Sequence, residues 1–160
     1  DLKASLVETE RIELAGEINT SMPHYVVEKT AEALNARGKS VRGSKALVLG
    51  LSYKADIDDD RESPSFEIIE LLQERGADVA YCDPFIPRAK KGRHHDIDMA
   101  SVPLSSEEFA RYDVVVVSTA HTAFKDAALY ASVGLVVDTR NLMPPLGFGP
   151  GRLGPAVVRA

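Results

Sequence analysis

Residues 45–84 read KALVLGLSYKADIDDDRESPSFEIIELLQERGADVAYCDP. The opening KALVLG is a short apolar run of the kind that forms a strand covered on both faces. A long charged loop follows, and then a helix is predicted over 65–75. Ser63 can cap it and Pro64 suits its first position. Glu62, Glu67 and Glu70 lie toward the positive end of its dipole. Ser65, Ile68, Ile69 and Leu72 form one inward stripe, and Arg75 with Gly76 closes the element. DVAYC, 78–82, is a second buried strand. The loop brings Tyr53, Lys54 and Arg61 just past the carboxyl end of a strand, where open α/β sheets bind ligands. Two fixed cations there suit an anion, and a phosphate fits them well.

The same alternation continues toward the carboxyl terminus. Strands are predicted at 113–119 (DVVVVST) and 134–138 (GLVVD). Helices are predicted at 105–111, opened by a Ser105/Glu108 capping box, and at 122–132. A βαβ series of this kind implies an α/β fold, a Rossmann-like doubly wound parallel sheet with right-handed crossovers. The first 38 residues differ. Leu6, Ile12, Leu14, Ala15 and Ile18 give 4–18 a loosely helical pattern. Asn19, Thr20 and Ser21 offer caps, and Pro23 fits the first turn of a second helix that Gly38 stops. The expected organisation is a helical connector, 1–38, preceding a Rossmann-like domain, 39–160. Residues 85–104 form a connection without an assigned element, and the Pro- and Gly-rich 143–160 reads as an irregular tail or edge wrap.

Composition narrows the classes. The chain has 160 residues, 44% hydrophobic and 27% charged, which suits one globular core. A net charge of -5 argues against nucleic acid as the main partner. No apolar run approaches the ~20 residues of a membrane span, and the charged start DLKASLVETER is unlike a signal peptide. The single cysteine, Cys82, rules out an internal disulfide and a Cys-rich zinc site, and fits a reducing, cytoplasmic setting.

The candidate sites each carry a plain alternative. GLSYKA after the first strand holds Gly50, but Ser52 and Ala55 stand where a dinucleotide fingerprint needs glycines. Asp83 resembles a ribose-binding acid but falls much later than the ~20 residues of that fingerprint, so a turn residue before Pro84 is the simpler reading. Lys54 and Arg61 either bind an anion or balance Asp56, Asp58, Asp59 and Asp60. Arg140, in VVDTRN, again follows a strand, and Asp138 could orient it by a charge-assisted hydrogen bond. Tyr53, Lys54 and Arg140 are therefore expected to converge on one ligand. His121, in STAH, is an acid–base candidate or a helix-start contact. His94 and His95 read as a solvated basic loop, no metal site is expected, and Cys82 reads as structural.

GLSYKADIDDDRESPSFEIIELL resembles the hallmark segment of the nucleotide-sugar 6-dehydrogenases: Gly-x-x-[Phe/Tyr]-Lys, acidic residues, then Arg-x-Ser-Pro. RIELAGEINTSMPHYVVEKTAEALN, YCDP, STAH and VVDTRN match family positions in order, so the resemblance covers 11–142. ELAGEIN and MPHYVV are similar to the branch acting on UDP-N-acetylated hexosamines. The resemblance implies an amino-terminal NAD domain, a central helix forming a homodimer, and a carboxy-terminal UDP-binding domain. It implies oxidation of a C6 alcohol to a carboxylate in two hydride transfers, with a cysteine passing through a thiohemiacetal and a thioester. This chain matches only the carboxy-terminal domain and part of the connector. Its expected role is that of a fragment, inactive alone, with no catalytic residue and with NAD bound mainly by the missing domain. By motif, Tyr53, Lys54 and Arg140 would hold the UDP-sugar and Arg61 would reach NAD across a cleft. The alternative is a free-standing nucleotide-sensing module. A receiver-type phosphoacceptor does not fit, because Ser118 and Thr119 stand where its third strand needs an aspartate.

Overall fold

The computed structural model describes residues 21–92 and 95–160. Helix α1 occupies residues 21–36. Strand β1 (Lys45–Leu49), helix α2 (Ser65–Glu74) and strand β2 (Asp78–Cys82) follow, then a short pair, β3 (Arg88–Ala89) and β4 (Met99–Ala100). One-turn helix α3 (Ser106–Phe109) precedes β5 (Val114–Val117), β6 (Leu135–Asp138) and the edge strand β7 (Ala156–Arg159). The main sheet has the order β2-β1-β5-β6-β7, and every pairing in it is parallel. Its chain order reverses between β1 and β5, the topological switch point of a doubly wound sheet.

The alternation of side chains along each strand sorts the core into two layers. Ala46 and Val48 of β1, Val114 and Val116 of β5, and Leu135 and Val137 of β6 pack with Val26, Val27 and Leu34 of α1 and Ile68, Ile69 and Leu72 of α2. Leu47, Leu49, Val115, Val117 and Val136 face the other way, onto Phe109, Phe124, Tyr130 and Met143. Both faces of the central strands are thus dry, which is why each reads as an unbroken apolar run. The second predicted amino-terminal helix is therefore built into the sheet's core through its apolar stripe. Gly38 ends it at φ +75, with Lys39 donating its amide to the Leu34 carbonyl. The proposed helix over 4–18 lies outside the described residues, as does His94.

Several expectations need correction. Residues 122–132 are not one α-helix but two short 3₁₀ turns, Thr122–Phe124 and Ala127–Tyr130. Asp126 between them is extended, and its carboxylate accepts the Ala128 amide, so the side chain competes with a continuous helical ladder. Ser105 does cap α3 by accepting the Glu108 amide, but Glu108 turns its carboxylate to Arg111 and Tyr112 instead of completing the box. Residues 85–104 contain the antiparallel β3–β4 pair. The tail over 143–160 is irregular only in part: Pro144–Leu146 form a 3₁₀ turn, and after Pro155 AVVR adds β7 in parallel to β6. That strand is half-exposed at a sheet edge, so it lacks the long apolar run that marks its neighbours.

Candidate functional site

The carboxyl ends of β1, β5 and β6 open on a single rim. Gly50 lets the first two approach closely: its φ is +88, and a Cβ there would lie 2.3 Å from Thr119 Cβ. Beside this junction is a cavity of about 630 Å³. Tyr53 and Lys54 reach it from the β1 loop, Ser118 from β5, and Thr139 and Arg140 from β6. Met22, Pro23 and Val26 of α1 and Ile68 of α2 supply its apolar wall. Glu62 also lines it, so the hollow sets two cations and one carboxylate beside an apolar side.

The two cations are held differently. Arg140 Nε donates to the Ser118 carbonyl at 3.0 Å, which anchors the guanidinium by one edge, and its two outer nitrogens make no hydrogen bond or ion pair among the described residues. Asp138 does not orient that guanidinium. Its buried carboxylate accepts the backbone amides of Arg140, Leu142 and Met143 and so fixes the turn that carries the arginine. Lys54 forms no ion pair among the described residues, and its Nζ lies 5.9 Å from the Tyr53 ring centroid. Tyr53 is itself 47% exposed. Arg61 is placed elsewhere. Its side chain is 85% exposed and grips Asp59 through Nε and Nη2, each at 2.9 Å. Those bonds hold the Asp59 carboxyl down at about 2. Of the two loop cations, Arg61 thus balances a neighbouring acid while Lys54 does not. A larger hollow of about 960 Å³ lies beside α2, but there Arg61, Arg88 and Lys90 face Asp60, Glu62, Glu67 and Glu70, so it offers no net cationic grip.

Beneath the β1 loop sits a polar hub that the sequence did not reveal. Asp83 is 1% exposed, and its Oδ2 accepts the Leu51 amide at 2.7 Å, the Ser52 amide and hydroxyl at 3.0 Å each, and His121 Nε2 at 2.9 Å. Its Oδ1 takes the Phe85 amide at 2.8 Å. Burial alone would raise this carboxyl, but His121 and the Leu51 and Phe85 amides outweigh it and pull it to about 2. Asp83 is therefore a turn residue that also ties β2 to the start of the β1 loop. His121 is fully buried, with both ring nitrogens engaged by Asp83 and the Asp56 amide. The only hint in the sequence was the placement of DP and AH just after strands. Cys82 is buried too, and desolvation pushes its thiol up to about 12, which makes it inert as expected.

The hub also bears on NAD. In a dinucleotide fold, amides just past the first strand cradle the pyrophosphate. Here the Leu51 and Ser52 amides are already taken by the Asp83 carboxylate. This turn does not fit a dinucleotide pyrophosphate.

A doubly wound sheet with a partly apolar, doubly cationic hollow at its switch point defines a domain of the nucleotide-binding α/β class. Residues 47–145 match the family model described as UDP-glucose/GDP-mannose dehydrogenase family, UDP binding domain. The chain belongs to that family. It is 36% identical over 117 residues to a UDP-N-acetyl-D-mannosamine dehydrogenase of Methanococcus maripaludis, covering 72% of this chain and 24% of that protein. It is 30% identical over 113 residues to a UDP-N-acetyl-D-glucosamine 6-dehydrogenase of Salmonella typhi, covering 70% and 26%. Among solved structures, the native UDP-N-acetyl-mannosamine dehydrogenase Cap5O of Staphylococcus aureus superposes with a TM-score of 0.65 at 29% identity, over 89% of this chain and 31% of that one. The UDP-D-ManNAc dehydrogenase of Pyrococcus horikoshii shares the fold with a TM-score of 0.70 at 24% identity, over 92% and 32%. The chain thus spans between 24% and 32% of the length of these relatives.

Proposed function

We propose that this domain grips the uridine diphosphate part of a UDP-sugar within an NAD-dependent nucleotide-sugar 6-dehydrogenase. The observation that carries the reading is the meeting of Lys54 and Arg140, from opposite ends of the domain's chain, on one hollow with neither in an ion pair among the described residues. A diphosphate presents oxygens to both, and Arg140's outer nitrogens can take a phosphate in bidentate fashion. Tyr53, Ser118 and Thr139 supply further polar contacts, and the α1 wall shields one side from water, which strengthens the ionic contacts. The names of the relatives favour an N-acetylated hexosamine as the sugar. When bound by a preceding domain, NAD would accept hydride from the substrate's C6 alcohol. Arg61, exposed outside the hollow, would reach NAD across the cleft by giving up Asp59. Cys82, buried and protonated, is not the thiol of that reaction. Residues 1–38 would act as the connector through which two copies pair, with Tyr25 on its exposed face and 39–160 as the sugar-nucleotide domain.

Calorimetric titration with UDP tests the reading. Charge-assisted hydrogen bonds are worth about 1.5–3 kcal/mol, so Lys54→Ala and Arg140→Ala should each weaken UDP by roughly 10- to 100-fold. Arg61→Ala should leave UDP affinity as it is. Undiminished binding in both of the first two variants would overturn the site.

A further inference from the structure

Tyr53 and Lys54 sit on a short segment, 53–55, strung between two anchors. The first is Ser52, whose amide and hydroxyl bond Asp83 and whose carbonyl accepts Thr119 Oγ1 at 2.7 Å. The second is Asp56, a non-glycine residue at φ +62. Its amide donates to His121 Nδ1 at 2.8 Å, and its carboxylate accepts the Thr122 amide at 2.8 Å and the Thr122 hydroxyl at 2.6 Å. His121 bonds the second anchor directly and reaches the first through Asp83, which its Nε2 meets at 2.9 Å. An amide can only donate, so Nδ1 is the acceptor and the ring proton resides on Nε2, pointing at the Asp83 carboxylate. Phe85 and Phe124 pack against the ring, with centroids 4.9 and 5.4 Å away. The loop itself contributes two internal closures near this segment, from the Tyr53 amide to the Asp59 carbonyl and from the Ser52 hydroxyl to the Ile57 carbonyl.

We infer that His121 is a positioning residue for the cationic hollow: one buried imidazole holds the Asp56 end of the 53–55 segment directly and the Ser52 end through Asp83, and so aims Lys54. The inference rests on the UDP-binding reading above. It makes a distinction that simple stability does not, because the imidazole acts through Lys54 and not through Arg140, which hangs on Ser118 and the Asp138 turn.

The test is a double-mutant cycle read by UDP titration, joined to amide exchange of the unliganded protein. His121→Gln can set its amide nitrogen where Nε2 donates to Asp83, but its oxygen then does not fall at the Nδ1 position that accepts the Asp56 amide. It should weaken UDP by about tenfold, that loss should vanish in the Lys54→Ala background, and it should persist in the Arg140→Ala background. Exchange at Asp56 and Tyr53 should quicken while β1 amides stay protected. His121→Asn, which keeps an acceptor near Nδ1, should restore slow exchange at Asp56. Nitrogen-15 shifts of the wild-type ring should report the Nε2–H tautomer. If His121→Gln does not fold, Thr122→Val, which cuts only the hydroxyl bond to Asp56, should give a smaller shift in the same direction. Unchanged exchange at Asp56, or an equal loss of UDP affinity with and without Lys54, overturns the inference. Absence of UDP binding by the wild-type chain instead overturns the reading it rests on, and the exchange arm still decides whether His121 holds the loop.

Discussion

Replacing Asp83 with asparagine removes a charge that five donors share. Four of them converge on Oδ2: the Leu51 and Ser52 amides, the Ser52 hydroxyl and His121 Nε2. The asparagine carbonyl oxygen must take that position. Its amide nitrogen then faces the Phe85 N–H, donor against donor, in a place with 1% exposure. A buried group left unsatisfied costs about 1–3 kcal/mol, and turning charge-assisted bonds into neutral ones removes about as much again. The expected loss is therefore about 3–5 kcal/mol, or roughly 10 °C in Tm for a domain of this size. Urea denaturation followed by circular dichroism would measure it. The pH dependence adds a second signature. The folded carboxyl lies at about 2 against an ordinary 3.8, so its contribution is whole above about 4 and disappears as pH falls toward 2. The lowered value corresponds to about 2 kcal/mol, about half of which is gone by pH 3. The gap between wild type and Asp83→Asn should narrow accordingly between pH 5 and 3. A variant within about 1 kcal/mol of wild type at pH 7, or a gap that does not narrow with acid, would refute the idea that this carboxylate organises the rim.

Two further outcomes follow from the same rim. Gly50→Ala should destabilise the fold by about 3 kcal/mol or more, since its Cβ would lie 2.3 Å from Thr119 Cβ at a φ of +88; thermal denaturation checks this, and a change under about 1 kcal/mol contradicts the close approach of β1 and β5. Cys82 should resist a thiol reagent at neutral pH in the folded protein and react fully in denaturant, because burial pushes its thiol up to about 12; rapid native labelling would count against the inert reading.

Strand and helix were legible where local pattern and final environment coincide. KALVL, DVAYC, VVVV and LVVD each stand between two dry layers, so burial on both faces demanded the continuous apolar runs that marked them. The inward stripe of α2 was equally plain, because a helix against a sheet needs one. The pattern failed at 122–130, where the Asp126 side chain competes for backbone donors, and at β7, whose exposed edge needs only two apolar residues. The loop motif around Lys54 and the arginine after β6 marked the candidate site, yet spacing alone could not say which loop cation was already paired. Arg61 bonds the acid two residues before it, whereas the acid two residues after Lys54, Asp56, is turned to Thr122.

By itself the sequence determined the βαβ alternation, the family motif and the residues offered to the rim, since all three depend on neighbours within a few positions of each other. Only the tertiary structure decided that Lys54 and Arg140 share one hollow, that Asp138 holds a turn and not a guanidinium, and that Asp83 and His121 are buried together. A carboxylate or an imidazole can leave water only when distant parts of the chain bring enough donors and acceptors to replace it, and no local spacing of residues records which parts will meet.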